Sequence, residues 1–387
     1  MAGLGHFTFL TDAERETLFQ VPPNALTRES PKLVLADALG ATLYSPATRP
    51  DLVGDLLRSR EQGLVSSVVC LEDSIADHEV AGALDHLVDQ LGTLHASVDE
   101  VPLVFVRVRA AEQITEIVDR LGSRTAALSG FVVPKFEAES GGEAFERVRK
   151  ASASAGQPLW VMPVIETPEV AHRETRTRAL LAIDQLLAAN SDITLAVRIG
   201  ATDIAGVYGL RRPKELTVYD VRVVADAITD IVNVLGRIGR DERVITGAVW
   251  EYFSGPERIF KPQLRETPFG SEERALRAGL IAAELDGLIR EVVLDRANGI
   301  VGKTVIHPTH VPVVHALSVV SGEDYADALA VLGREGGGVV KSLYRNKMNE
   351  SRPHRAWAKR TLRRAAAFGV ARDGVTFAHL LAAVHRA

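Results

Sequence analysis

A (β/α)8 barrel is the fold this sequence predicts, and three observations predict it. Short apolar runs alternate with helix-length segments, which is the sequence form of βα units around a parallel sheet. Eight such runs can be counted. Most are near-continuous rather than alternating, as strands covered on both faces are. A doubly wound open sheet shares the alternation, and the count of eight is what argues for closure.

The chain opens with residues 1–35, an irregular lead-in broken at Pro22-Pro23. The first four runs are 41–46 (ATLYSP), 67–71 (SVVCL), 103–108 (LVFVRV) and 130–133 (GFVV). The later four are 159–165 (LWVMPVI), 193–199 (ITLAVRI), 244–249 (VITGAV) and 303–306 (KTVI). Between them, 168–187, 216–235 and 272–293 carry apolar residues at three- and four-residue spacing, so they read as amphipathic helices of an outer ring. Beyond the eighth run, 309–387 reads as further helices, with Gly336-Gly337-Gly338 as a loop between two of them. The expected division is a lead-in (1–35), a catalytic barrel (36–321) and a C-terminal helical extension (322–387).

Composition narrows the function. The 387 residues fit one large barrel with extensions, and 46% hydrophobic and 25% charged residues are ordinary globular usage. A net charge of −5 disfavours a nucleic-acid partner, which requires clustered Lys and Arg. Cys70 is the single cysteine, so an intrachain disulfide and a Cys-rich zinc site are both ruled out, and its apolar run makes it a core residue. A metal would have to be held by oxygen or histidine. No stretch approaches the ~20 apolar residues of a spanning helix, and residues 1–30 lack the apolar region of a signal peptide, so the expected setting is cytoplasmic, away from membranes.

Active sites of such barrels lie at the C-terminal ends of the strands, so each run is read at its end. The second is followed by Glu72-Asp73, the third carries Arg107 and Arg109, and the fourth leads to Lys135 and Glu137. Glu166 follows the fifth, Asp203 the sixth, Glu251 the seventh and His307 the eighth. One charged residue after a strand is commonly a loop residue or a helix cap. Seven ends of mixed sign point instead to a convergent polar pocket. Glu166 and Asp203, on adjacent strands, are suited to share a hard cation such as Mg2+, although two separate helix caps would give the same spacing.

These residues resemble the citrate lyase β-subunit-like branch of the HpcH/HpaI aldolase family, and most of all the C-C bond lyases of TIM-barrel fold found with tellurium-resistance-type stress operons. The resemblance runs from about Tyr44 to His307, with a weaker echo to about Leu362. It is carried by Leu71-Glu72-Asp73-Ser74, Val106-Arg107-Val108-Arg109, Pro134-Lys135-Phe136-Glu137, Ile165-Glu166-Thr167-Pro168 and Gly200-Ala201-Thr202-Asp203. The closing motif is Gly302-Lys303-Thr304-Val305-Ile306-His307-Pro308. Six motifs in order are a specific signal.

The resemblance implies that Glu166 and Asp203 ligate Mg2+, or Mn2+ in its place, with Glu72 and Asp73 ordering its waters. Arg107 would bind the substrate carboxylate and carbonyl oxygen through its planar fork of donors. It further implies retro-aldol cleavage, or the reverse condensation, of a 3-hydroxy or 2-oxo acid, free or esterified to CoA or a nucleotide-like group. A cation beside Arg107 would stabilise the enolate oxygen. Assembly as a homo-oligomer, a trimer or hexamer, is implied as well. Two other functions remain open: a thioesterase or hydrolase using the same pocket, and a non-catalytic ligand-binding barrel in a stress-response complex.

Several residues depart from the pattern or need their own reading. Arg109 stands where the family has Asn, which adds charge for a more acidic substrate. After Lys347-Met348 the family's acyl-CoA lyases carry a catalytic Asp; here Asn349 and Glu350 follow, leaving Glu350 as a proton donor or an exposed surface residue. Arg211 and Arg212 follow Asp203 closely enough to grip phosphate or carboxylate, or to pack against acidic helices. Glu137 and His307 would help line the substrate pocket. Lys135 could act as a Schiff-base nucleophile only if deprotonated, and neighbouring carboxylates favour its charged form. From 341 to 364 nine Lys/Arg stand against one Glu, as on a solvated or intersubunit face, or at a nucleotide or CoA contact.

Overall fold

The structure, a computed structural model, describes residues 4–239, 241–253 and 285–384. Eight parallel strands close a barrel. They are β1 (Ala41–Pro46), β2 (Ser66–Cys70), β3 (Leu103–Arg107), β4 (Leu128–Val133), β5 (Trp160–Ile165), β6 (Val197–Ile199), β7 (Ile245–Trp250) and β8 (Lys303–Val305). Closure is made by β1 against β8, with Thr42 opposite Thr304. Each predicted run overlaps its strand. The sixth is shorter than expected, because Thr194 meets Val161 only in an isolated bridge before the β5–β6 ladder begins at Arg198.

The continuous apolar runs are explained by burial on both sides. Val104 and Val106 of β3 and Val161 and Ile165 of β5 pack outward against helices. The alternate residues Leu103, Phe105, Met162 and Val164 belong to a second cluster that fills the barrel.

The outer ring comprises α1 (Leu52–Glu61), α2 (Val80–Thr93), α3 (Glu112–Leu121), α4 (Ala138–Ala155), α5 (Arg173–Ala189), α6 (Arg222–Leu235), α7 (Asp286–Ala297) and α8 (Val311–Ser318). The helix expected over 168–187 is broken at His172, whose backbone is extended. Arg176 accounts for the break: its Nε and Nη2 donate to the carbonyls of Val170 and Ala171, at 2.7 and 2.5 Å, and so cap the short helix Pro168–Ala171. The helix expected over 216–235 begins only at Arg222. Of the one expected over 272–293, residues 272–284 lie outside the described residues, and α7 covers the remainder.

The lead-in, expected to be irregular, contains the helix Asp12–Leu18, closed by a Thr11/Glu14 capping box. It also contains the strand Phe19–Val21, which pairs with Val370–Ala371. The lead-in is therefore hydrogen-bonded to the C-terminal extension. The three glycines 336–338 all take positive φ, but they lead into a hairpin of Val339–Lys341 with Met348–Glu350 rather than into a helix. No helix among the described residues is long and apolar enough to cross a membrane.

Candidate active site

Four strand ends supply a compact group of charges. Arg107 is the last residue of β3, and its Nη2 meets three carboxylates: Glu72 Oε2 at 2.6 Å, Glu166 Oε1 at 3.1 Å and Asp73 Oδ2 at 3.4 Å. Its Nε is buried with no partner among the described residues, so part of the guanidinium fork remains unspent. Lys135 Nζ lies 2.6 Å from Glu72 Oε1 and 3.3 Å from Asp73 Oδ1. Glu72, buried, thus holds two cations at once. Its hydrogen bond to Lys135 is the main reason the ammonium pKa lies above its ordinary value, which keeps the amine charged and unsuited to Schiff-base chemistry.

Glu166, immediately after β5, divides the labour of its two oxygens. Oε1 accepts from Arg107 and from the backbone amide of Lys135 at 2.9 Å. That amide is presented by a left-handed backbone, with φ of 46° at Lys135, an uncommon conformation for a side chain other than Gly or Asn. Oε2 faces the chain at Gly200, where a Cβ would come within 2.0 Å of it, so glycine is required for the carboxylate to lie where it does. Asp203 stands in the first turn of the helix Ala201–Val207 and has no hydrogen-bond or ion-pair partner among the described residues. Burial pushes the Glu166 carboxyl up to about 7; Asp203 and Glu72 add repulsion, while Arg107 and the Lys135 amide oppose it.

Glu166 Oε2 and the Asp203 carboxylate, whose charge Glu166 feels, are both hard oxygen donors. Among the described residues no group of three or more His, Cys, Asp or Glu side chains forms a complete metal cage. That donor set fits Mg2+, which takes one or two carboxylates and retains waters, rather than Zn2+, which prefers nitrogen and sulfur.

Other residues singled out in the sequence go elsewhere. Arg109 ties down the loop after β2, donating to the carbonyls of Ile75 at 2.7 Å and Glu72 at 3.0 Å and pairing with Asp77. Glu137 precedes α4 and turns to Glu169; burial first, then that neighbouring acid, raises its pKa. Arg211 and Arg212 separate. Arg211 is exposed, whereas Arg212 is buried against Glu291, the Val249 carbonyl at 3.2 Å and the Trp250 ring. His307 stacks on Phe253 with ring centres 5.2 Å apart and bonds Thr309. Glu350 is exposed in the C-terminal hairpin, where its amide donates to His354. Much of the basic 341–364 segment is neutralised within the chain, Lys347 by Glu323 and Asp327, and Arg360 and Arg363 by Glu242.

Two structural charges escaped the sequence reading. Lys303, in the last motif, is wholly buried between Glu291 and Asp295. Arg198 points into the barrel to Thr42 and Thr304. An Arg inside the apolar run 193–199, on the face opposite Val197 and Ile199, was the available signal for the latter.

A family model described as C-C bond lyase of the TIM-barrel fold matches residues 33–370. Among solved structures, a citrate lyase from Burkholderia xenovorans LB400 is similar at a TM-score of 0.58 and 16% identity, covering 91% of this chain and 99% of that one. CitE from Mycobacterium tuberculosis, solved with magnesium, acetoacetate and coenzyme A, is similar at a TM-score of 0.51 and 20% identity, covering 85% and 99%. At these identities the two structures establish the shared fold. A search among curated proteins gives no match.

Proposed function

The chain belongs to the C-C bond lyases of the TIM-barrel fold, and from that premise we propose that it is a Mg2+-dependent lyase acting on a 2-oxo or 3-hydroxy acid through an enolate. The observation that carries this reading is that Glu166, tied by Oε1 to Arg107 and the Lys135 amide, leaves Oε2 unbonded within the field of an unpaired Asp203. Glu166 and Asp203 would hold the cation, which when bound supplies Lewis-acid stabilisation of a developing enolate oxygen.

The chain's own residues do the rest. Arg107 is held in place by Glu72 and Glu166, and its guanidinium would meet the substrate carboxylate. Lys135 and Asp73 lie at the exposed rim of the same cluster, where a proton can pass between solvent and the reacting carbon. Glu72, buried between Arg107 and Lys135, sets the positions of both cations. At the barrel mouth Arg107 and Lys135 stand against Glu72, Asp73 and Glu166.

CoA, acetoacetate and magnesium accompany CitE, which supports an oxo acid or its CoA ester as the substrate class here; Mn2+ suits the same oxygen donors. The test is a calorimetric titration of Mg2+ into metal-free protein, with and without pyruvate, oxaloacetate or glyoxylate, for wild type and Glu166→Gln. Binding that requires Glu166 and tightens with an oxo acid is expected. Absence of Mg2+ binding to the wild type under all conditions would overturn the reading.

A further inference from the structure

Below the carboxylates, the barrel contains a charge without an ionic partner. Arg198 is 1% exposed; its Nη2 donates to Thr304 Oγ1 at 2.6 Å and its Nη1 to Thr42 Oγ1 at 3.4 Å, with Met162 Sδ 3.9 Å away. No carboxylate among the described residues lies within ion-pair distance of it, and its Nε has no partner. A guanidinium cannot shed its proton, and a buried charge met only by hydroxyls is costly. Such a cost persists where the charge serves the site above it.

The group directly above is Tyr44. Arg198 Cζ lies 5.3 Å from the centre of its ring, a cation–π contact that fixes the ring's attitude. Tyr44 shares the inward face of β1 with Thr42, two residues earlier, and its phenol lies within the fields of Arg198, Arg107 and Glu166. Tyrosine hydroxyls that are removed from bulk water usually find a partner. That of Tyr44 has none among the described residues, and on a half-buried side chain it keeps accessible surface that a bound ligand can reach.

We propose that the Tyr44 hydroxyl is a substrate-binding donor, which hydrogen-bonds a carboxylate or enolate oxygen of the bound oxo acid while Arg198 braces its ring from beneath. The residue would act beside Arg107, giving the developing charge a second donor from the floor of the site. Burial, the largest influence, raises the phenol's pKa against the opposing pull of Arg198, so the hydroxyl retains its proton and can donate.

This inference rests on the enolate reading, and oxalate, a planar dianion shaped like the enolate of pyruvate, separates the two. Oxalate is titrated into Mg2+-saturated wild type, Tyr44→Phe and Arg198→Met. Tyr44→Phe is expected to bind oxalate about tenfold more weakly, the loss of one hydrogen bond to a charged group, with Mg2+ affinity unchanged. Arg198→Met should weaken oxalate too, by loosening the ring, without lowering the thermal midpoint. If Tyr44→Phe binds oxalate as wild type does, or loses Mg2+ in equal measure, the inference is overturned and the enolate reading stands. If wild type with Mg2+ bound takes up no oxalate, both fall.

Discussion

Lys303 Nζ lies 2.6 Å from Glu291 Oε1, and neither side chain exposes any surface to solvent. The other Glu291 oxygen accepts from Arg212 and from the Val218 amide, and Asp295 joins Lys303 to the Tyr219 hydroxyl. One buried network therefore fastens β8, α7 and the 210–221 loop that follows the Asp203 helix. Removing one partner of a buried ion pair strands the others, at about 3–5 kcal/mol. Lys303→Met should lose that much in urea-induced unfolding. A loss below 1 kcal/mol would mean that water reaches the cluster.

Gly200 makes a sharper prediction, because its backbone is ordinary, with φ of −99°, and only the space is special. A methyl group there would collide with Glu166 Oε2 and Cβ, at 2.0 and 2.5 Å. Gly200→Ala should keep its helical circular dichroism yet weaken Mg2+ by tenfold or more, since a ligand displaced by an ångström no longer fits a small, rigid octahedral ion. Unchanged affinity would remove Glu166 Oε2 from the metal site.

Acid should destabilise the fold through histidines far from the site. His6 stacks on Phe368 and bonds the Ala38 carbonyl, and His315 accepts from the Ala41 amide. Burial lowers the His6 pKa to about 3, and burial, then His6, holds His315 well below 6.5. Both are neutral when folded but bind protons when unfolded, so the unfolded chain gains protons first as pH falls. The stability they contribute is present above pH 6.5 and is lost toward the folded-state pKa. Each histidine should cost about 1.4 kcal/mol per pH unit in that window. Unfolding free energies between pH 7 and 5 check this, and His6→Gln should flatten the slope by one such increment.

How much of this was legible in the sequence follows from the range of the interactions. The strands were, because burial on two faces is written in consecutive residues such as Leu103 to Val106. So were the residues that converge at the mouth, since a barrel forces strand ends together: Glu72, Arg107, Lys135 and Glu166 now touch. The partners of individual arginines were not. Arg212 looked like a ligand-gripping residue because Glu291 is 79 positions away, and Arg109 looked like a free charge because the carbonyls it caps carry no side-chain signature. The break at His172 is likewise made by Arg176 folding back on carbonyls, for which no residue pattern exists.

The left-handed backbone at Lys135 is the last test, since it sets the cost of aiming that amide at Glu166 against the stability of the fold. A non-glycine residue at φ of 46° costs on the order of 1 kcal/mol relative to glycine, because Cβ crowds the backbone. Lys135→Ala and Lys135→Gly both remove the ammonium and its pairs with Glu72 and Asp73, so their difference isolates the backbone. Lys135→Gly should unfold at higher urea than Lys135→Ala by about 1 kcal/mol. Both should still bind Mg2+, because the amide rather than the side chain supports Glu166 Oε1. Equal stabilities would mean that the turn relaxes in solution and that Glu166 is held by Arg107 alone; Mg2+ binding would then depend on Arg107→Lys far more than on any change at Lys135.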